Sequence, residues 1–199
     1  PFIEPVCTSW GGMAALHTGH IESARHAGDL LVHMVTKQPD PQRFYFRMDI
    51  AGRLITKTPD ALNYYVDTSR REQIYFNPGI ALIFLSHLYR ATRDEKYLAA
   101  CRALFSFSER CAADVYAFPP SGKLGLGCAL LHALTNTPES RRAALHLGQY
   151  LVETQTPAGF WQLPDAGPYA GKIDRNSFAV HLDVTAEFST FLTEIAARI

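Results

Sequence analysis

The segment GLGCALLHALTNTPESRRAALHLGQYLVETQ, from Gly125 to Gln155, has the pattern of two helices joined by a short turn. Its first half is apolar nearly all round the helix, which is typical of a helix buried on both sides. Its second half keeps a polar stripe, which is typical of a helix with one face in solvent. The polar stretch TNTPES between the halves supplies the turn. The segment therefore predicts an antiparallel helical hairpin.

Two earlier segments, Trp10–Leu31 and Asn77–Phe107, repeat this pattern. A last segment, His181–Ile199, supplies one more helix. When the three hairpins are superposed on a shared glycine, small and apolar positions coincide: Gly12, Gly79 and Gly127, then Ala14, Ala81 and Ala129, then Leu16, Ile83 and Leu131. Self-similarity at a spacing of about 50 residues predicts stacked hairpins with an inner and an outer layer of helices.

The predicted fold class is therefore all-α, with antiparallel helical hairpins that form part or all of an (α/α) toroid. A curved α-solenoid is the open alternative. The connection over residues 43–76 contains the alternating sequence RFYFRMDIAGRLI, which favours a short β-hairpin or an extended loop. We treat residues 1–199 as a single domain, since 199 residues suffice for one hydrophobic core.

The sequence YLVETQTPAGFW, from Tyr150 to Trp161, fits the spacing YLxxxQxxxGxW. It resembles the QW motif of squalene and oxidosqualene cyclases, in the terpenoid-cyclase and protein-prenyltransferase toroid superfamily. Similar turns occur in α/α-toroid pectate lyases and six-hairpin glycosidases. In this interpretation the Gln155 amide satisfies backbone groups at the end of an outer helix, Gly159 permits the tight turn, and the Trp161 indole stacks over the amide.

The resemblance implies an architecture and no catalytic residue. The aspartate-rich DxDD acid of the class II cyclases is absent, since the stretch Asp183–Glu187 does not match it. The zinc ligands of the prenyltransferases are not recognisable either, so we expect neither a metal nor a cofactor. A closed toroid of this type needs about six hairpins. We therefore expect residues 1–199 to be the carboxyl-terminal part of a larger barrel, completed by a companion segment, a second chain or a homo-oligomer.

Composition excludes several classes of partner. Nineteen basic residues balance nineteen acidic ones, so the chain lacks the electrostatic footprint of a nucleic-acid-binding protein. No apolar run approaches the roughly 18 residues of a membrane-spanning helix. The four cysteines form no CxxC pair, which favours free thiols in a reducing compartment. Together with the lack of a secretory leader in this sequence, this predicts a cytoplasmic location.

In such toroids the loops that enter the inner helices surround one mouth of the barrel. Carboxylates and a histidine at an apolar mouth suit general acid–base chemistry. The predicted catalytic residues are Glu72, His181 and Asp183. The predicted substrate-binding residues are Trp10, Arg71, Tyr75, Asn77, Lys123 and Arg175. For Asp183 an alternative is purely structural, because acidic residues at the start of a helix stabilise its dipole.

The leading functional hypothesis is a metal-free acid–base lyase, isomerase or cyclase that acts on a small, largely apolar metabolite in the barrel cavity. It rests on an inner layer rich in Leu, Ile, Phe and Ala. One alternative is a carbohydrate-active hydrolase or polysaccharide lyase of the six-hairpin type. The other is a non-catalytic helical-repeat binding module.

Overall fold

The computed structural model describes residues 1–58, 60, 62–174 and 176–199. Within these residues the chain forms seven α-helices: α1 (Pro5–His17), α2 (Ile21–Thr36), α3 (Phe76–Thr92), α4 (Glu95–Ser108), α5 (Gly122–Thr135), α6 (Pro138–Thr154) and α7 (Phe178–Ala196). Two short strands, β1 (Arg43–Tyr45) and β2 (Tyr65–Asp67), form a small antiparallel sheet. The predicted all-α class with a minor β element is confirmed.

Three pairs of consecutive helices pack as hairpins, α1 with α2, α3 with α4 and α5 with α6. The turns within these pairs are only a few residues long and lie where the polar stretches of the sequence predicted them. Helices α3 and α5 end at Thr92 and Thr135, and each is followed by a residue in the left-handed conformation, Arg93 or Asn136. The second helix of each pair begins two residues after that. The predicted hairpins and the last single helix are thus confirmed.

The helices form two layers. The first helices of the hairpins contact one another in chain order, α1 with α3, α3 with α5 and α5 with α7, whereas α2 contacts α4 on the other side. Gly79 of α3 lies beside Leu124 of α5, and Leu82 lies beside Gly127, three residues further along both helices. The inner helices α3 and α5 therefore run parallel, as stacking of antiparallel hairpins requires.

Glycines allow the inner helices to approach closely. A Cβ atom added to Gly79 would lie 2.4 Å from the backbone nitrogen of Leu124, much closer than any real Cβ contact. One added to Gly12 would lie 2.2 Å from the ring of Phe84, so α1 also needs a glycine where it meets α3. The glycines that lead the sequence repeat are thus packing positions between neighbouring inner helices.

Burial differs between the inner helices. Helices α3 and α5 are buried on nearly all sides, as their apolar sequences predicted. Helix α1 buries only Pro5, Ser9 and Gly12 and leaves Trp10 54% exposed. The expectation that every first helix is buried on both sides is wrong for α1, because α1 packs on α3 but has no inner helix on its other flank among the described residues.

The connection over residues 43–76 pairs its two ends. Phe44 pairs with Val66 in the centre of the sheet, and the Arg43 guanidinium donates to Asp67 across the strands at 3.1 Å. The strands are too far apart in sequence to be a tight hairpin, and β1 lies in the alternating sequence whereas β2 lies beyond it. The connection over residues 43–76 thus contains an antiparallel strand pair, but not one formed within the alternating sequence. Gln73 returns the chain to this sheet by accepting from the Asp67 N–H at 2.7 Å.

The turn after α6 contains the predicted glycine, but its side-chain hydrogen bonds differ from those predicted. The Gln155 side chain donates to the Gly159 carbonyl at 3.0 Å, and Gly159 adopts a φ of +86°. The Trp161 indole N–H donates to the Leu151 carbonyl in the last turn of α6 at 2.7 Å. Trp161, rather than Gln155, therefore satisfies the helix end. Gln155 has an extended backbone, and its side-chain amide bonds across the turn instead.

Replacement of Trp161 by alanine should lower the free energy of unfolding by about 3–5 kcal/mol, because it removes a large buried side chain and its hydrogen bond. Trp161 is 2% exposed and packs edge-on against Phe188. The exposed Trp10 offers a matched control, and Trp10→Ala should change stability by less than about 1 kcal/mol. Chemical denaturation measures both. Equal losses for the two variants would contradict this account of the turn.

Candidate functional site

A groove of about 450 Å³ lies on the exposed face of the inner layer. All four inner helices contribute to its wall. The lining residues are Trp10 and Met13 from α1, Ile80, Ile83 and His87 from α3, Lys123 and Leu126 from α5, and Asp183, Ala186, Glu187, Thr190, Phe191 and Glu194 from α7. The wall is mainly apolar, with its charged groups contributed chiefly by α7. Such a surface suits a small molecule that is apolar along most of its length.

An ion pair stands at one end of the groove. The Lys123 ammonium contacts a carboxylate oxygen of Glu187, which joins the start of α5 to the middle of α7. The same ammonium lies 5.9 Å from the ring centre of Phe76 and 5.6 Å from that of Phe191. Only 18% of the Lys123 side chain is exposed. A cation that contacts two rings and a carboxylate is held in place at this end of the groove.

Asp183 is the carboxylate on this wall without a compensating partner. Its side chain makes no hydrogen bond and no ion pair in the part of the chain that the structure describes, and it is exposed. Helix α7 begins at Phe178, so Asp183 lies beyond the first helical turn. The alternative interpretation of Asp183 as a helix-dipole residue therefore finds no support, since that effect falls off within the first turn.

The other end of the groove carries His87. Arg90 donates to His87 Nδ1 at 3.3 Å, so the ring proton of the neutral imidazole lies on Nε2. Burial, followed by the positive charge of Arg90, lowers the pKa of His87 to about 4. Beside it, Glu194 and Arg198 form an ion pair at 2.6 Å. His87 is thus uncharged at neutral pH, and the carboxylate at this end is neutralised.

Three of the predicted site residues meet at a different place, around the buried carboxylate of Asp114. The Glu72 backbone N–H donates to it at 2.6 Å and the Tyr75 hydroxyl at 3.2 Å, while the Arg71 guanidinium lies 3.9 Å away. Burial raises the pKa of the fully buried Tyr75 hydroxyl above its ordinary value. Glu72 adopts a φ of +57°, a strained conformation for a glutamate. This cluster fixes the loop before α3 and does not line the groove.

The remaining predicted residues are dispersed. Asn77 is buried at the start of α3, and the His181 ring stacks on Phe160 with ring centres 4.7 Å apart. Arg175 lies outside the described residues. Of the nine predicted site residues, the structure brings Trp10, Lys123 and Asp183 together on the groove wall.

Sequence reasoning missed several lining residues for identifiable reasons. Met13, Ile83, Leu126 and Phe191 have the same apolar pattern as core positions, so no sequence signal separates the groove wall from the core. Glu187 had a signal, since it lies one helical turn after Asp183 and therefore on the same face of α7. Asp114 had no signal in the sequence, because its hydrogen bond with Glu72 joins residues 42 positions apart.

The described residues contain neither a metal-binding cluster nor a membrane-spanning helix. The described part of the chain holds no group of three or more His, Cys, Asp or Glu side chains arranged to bind a metal ion. No described helix combines the length and the apolar character needed to cross a bilayer. All four cysteines are free thiols.

Comparison of the chain with protein-family models, with curated proteins and with solved structures gave no match in any of the three. The resemblance to the toroid superfamily therefore rests on the hairpin repeat and the Q…G…W turn alone.

The low pKa of His87 makes stability depend on pH. An unfolded histidine has a pKa of about 6.5, so between pH 6.5 and about 4 the unfolded chain binds a proton that folded His87 does not. Stability should therefore fall as the pH is lowered through this window, by about 1–2 kcal/mol after allowance for partial exposure. His87→Gln should flatten this part of the pH profile in thermal denaturation.

The control is His26→Gln, which changes a solvent-exposed histidine on α2. It should leave the acid-side slope as in the parent chain. If His87→Gln and His26→Gln retained the same slope as the parent, the buried, neutral state of His87 would be refuted.

Proposed function

We propose that the chain is an acid–base enzyme, a lyase, isomerase or cyclase, and that a small, largely apolar metabolite occupies the groove. The observation that carries this proposal is the apolar groove of about 450 Å³ with Lys123, Glu187 and Asp183 at one end. Met13, Ile83 and Leu126 would contact the apolar body of the substrate, and burial of that surface supplies most of the binding energy.

The charged residues suggest a division of roles. Asp183 is an unpaired carboxylate and serves as the proton acceptor. The Lys123 ammonium, which is paired with Glu187, serves as the proton donor. Glu187 and the rings of Phe76 and Phe191 position that ammonium. Neither role calls on a metal or an organic cofactor.

The wider architecture and setting remain part of the proposal. We infer an (α/α) toroid of which these hairpins form a part, completed by a companion segment, a second chain or a second copy. Support comes from the outward flank of α1 with Trp10 and from exposed Phe178 and Leu182 on α7, which leave apolar surface uncovered. The four free thiols support a cytoplasmic location.

The carbohydrate alternative has weaker support. Sugar sites use exposed aromatic rings as stacking platforms, and of the two tryptophans only Trp10 is exposed on the groove. Trp161 is buried in the turn after α6 and therefore offers no stacking surface to a sugar. In the alternative of a non-catalytic binding module, the groove still binds a ligand, but Asp183 takes part in no proton transfer.

The test is incubation of the purified chain with an apolar metabolite extract, followed by mass spectrometry for compounds that are bound and converted. We expect Asp183→Asn to lower turnover of such a compound by about a hundredfold or more, since a lost acid or base costs about that factor. Glu72→Gln and His181→Gln should have small effects, because neither residue lines the groove.

Two variants of α7 provide a steric control. Ala186→Trp should fill the groove and abolish binding, whereas Ala179→Trp, at an exposed position of the same helix outside the groove, should not. Binding without turnover would favour the non-catalytic module. Full turnover in both Ala186→Trp and Asp183→Asn would reject the groove as the site.

A further inference from the structure

The charges on the groove wall compensate one another except at one position. Lys123 is paired with Glu187, and Glu194 is paired with Arg198. His87 accepts a hydrogen bond from Arg90 at Nδ1 and is neutral. Helix α1 contributes only Trp10 and Met13 to the wall, neither of which is charged. Among the residues that the structure describes, the wall is therefore left with the single uncompensated negative charge of Asp183.

An exposed aromatic ring lines the same groove as Asp183. Trp10 lines the same groove from α1 and is about half exposed, so its indole is available to a ligand. Carboxylates and indole rings both attract ammonium groups, the ring through its quadrupole. The described lining residues offer an anionic ligand no free cation in return, because their one ammonium, that of Lys123, already has a carboxylate partner.

We propose that the ligand of this groove is an apolar amine, with its ammonium group at Asp183 and Trp10 and its apolar body along Met13, Ile83 and Leu126. This inference rests on the proposed function, since it names the substrate class of the same groove. It also excludes apolar diphosphates and carboxylates as ligands. The Asp183 carboxylate then accepts hydrogen bonds from the ammonium group and fixes that end of the ligand in the groove.

The whole chain has no formal net charge, so any preference for amines has to come from residues at the groove. With nineteen basic and nineteen acidic residues, the protein has no net field to concentrate cations at its surface. A preference for amines must therefore depend on Asp183 and must weaken when salt screens that carboxylate.

The experiment compares three ligands that share an eight-carbon chain: octylammonium, octanol and octanoate. Binding is followed by Trp10 fluorescence, and Trp10→Phe shows which part of the signal comes from the groove. We expect octylammonium to bind about tenfold more tightly than octanol, and octanoate to bind more weakly than octanol. One molar salt should reduce the ammonium preference severalfold.

Asp183→Asn is the decisive variant. It should reduce octylammonium binding to the level of octanol and leave octanol binding unchanged. Equal binding of the three ligands by the parent chain would overturn the amine assignment but keep the apolar groove. Tightest binding of octanoate would also overturn it, because an uncompensated carboxylate at the polar end disfavours an anionic ligand. Failure of octanol and octylammonium alike to bind would reject the proposed function as well.

Discussion

The contact on which the rest of the structure depends is the approach of α3 to α5 at Gly79. No side chain fits there, since a Cβ atom would meet the Leu124 backbone nitrogen at 2.4 Å. Backbone therefore packs on backbone, and the two helices are held parallel at a short distance. Gly127 repeats the arrangement from the other side, where Leu82 occupies the space of the missing side chain. These contacts place α3 and α5 side by side at the centre of the inner layer, and α1 and α7 pack on their outer flanks.

The groove is a consequence of that layer. Helices α3 and α5 form its floor, and α1 and α7 form its sides because each packs on an inner neighbour. The position of Lys123 follows directly from the contact at Gly79, because that contact holds the backbone of Leu124 and of Lys123 before it. Its ammonium is then close enough to pair with Glu187 of α7. The charged end of the groove thus depends on the packing of backbones several ångströms away.

Local signals in the sequence predicted the elements but not the site. The hairpins could be predicted because glycine positions, apolar faces and polar turns all repeat within each segment. Strand β1 was predictable from alternation, and the turn at Gly159 from its spacing, whereas β2 lies outside the alternating sequence. The groove wall could not be separated from the core, since Ile83 and Leu126 have the pattern of buried residues. The grouping of Glu72 and Tyr75 on Asp114 could not be foreseen either, because it joins distant parts of the chain.

The most direct test of the account is the stability of Gly79→Ala against Gly148→Ala, measured by chemical denaturation. Alanine is the better helix former by about 1 kcal/mol, so an unconstrained glycine within a helix should gain stability from the change. Gly148 of α6 has room, with Ile195 at 3.9 Å from the added carbon, and should be neutral or more stable. Gly79→Ala should lose about 1–3 kcal/mol despite its better propensity, because α3 and α5 must separate. A Gly79→Ala variant as stable as the parent chain would contradict the close packing of the inner layer.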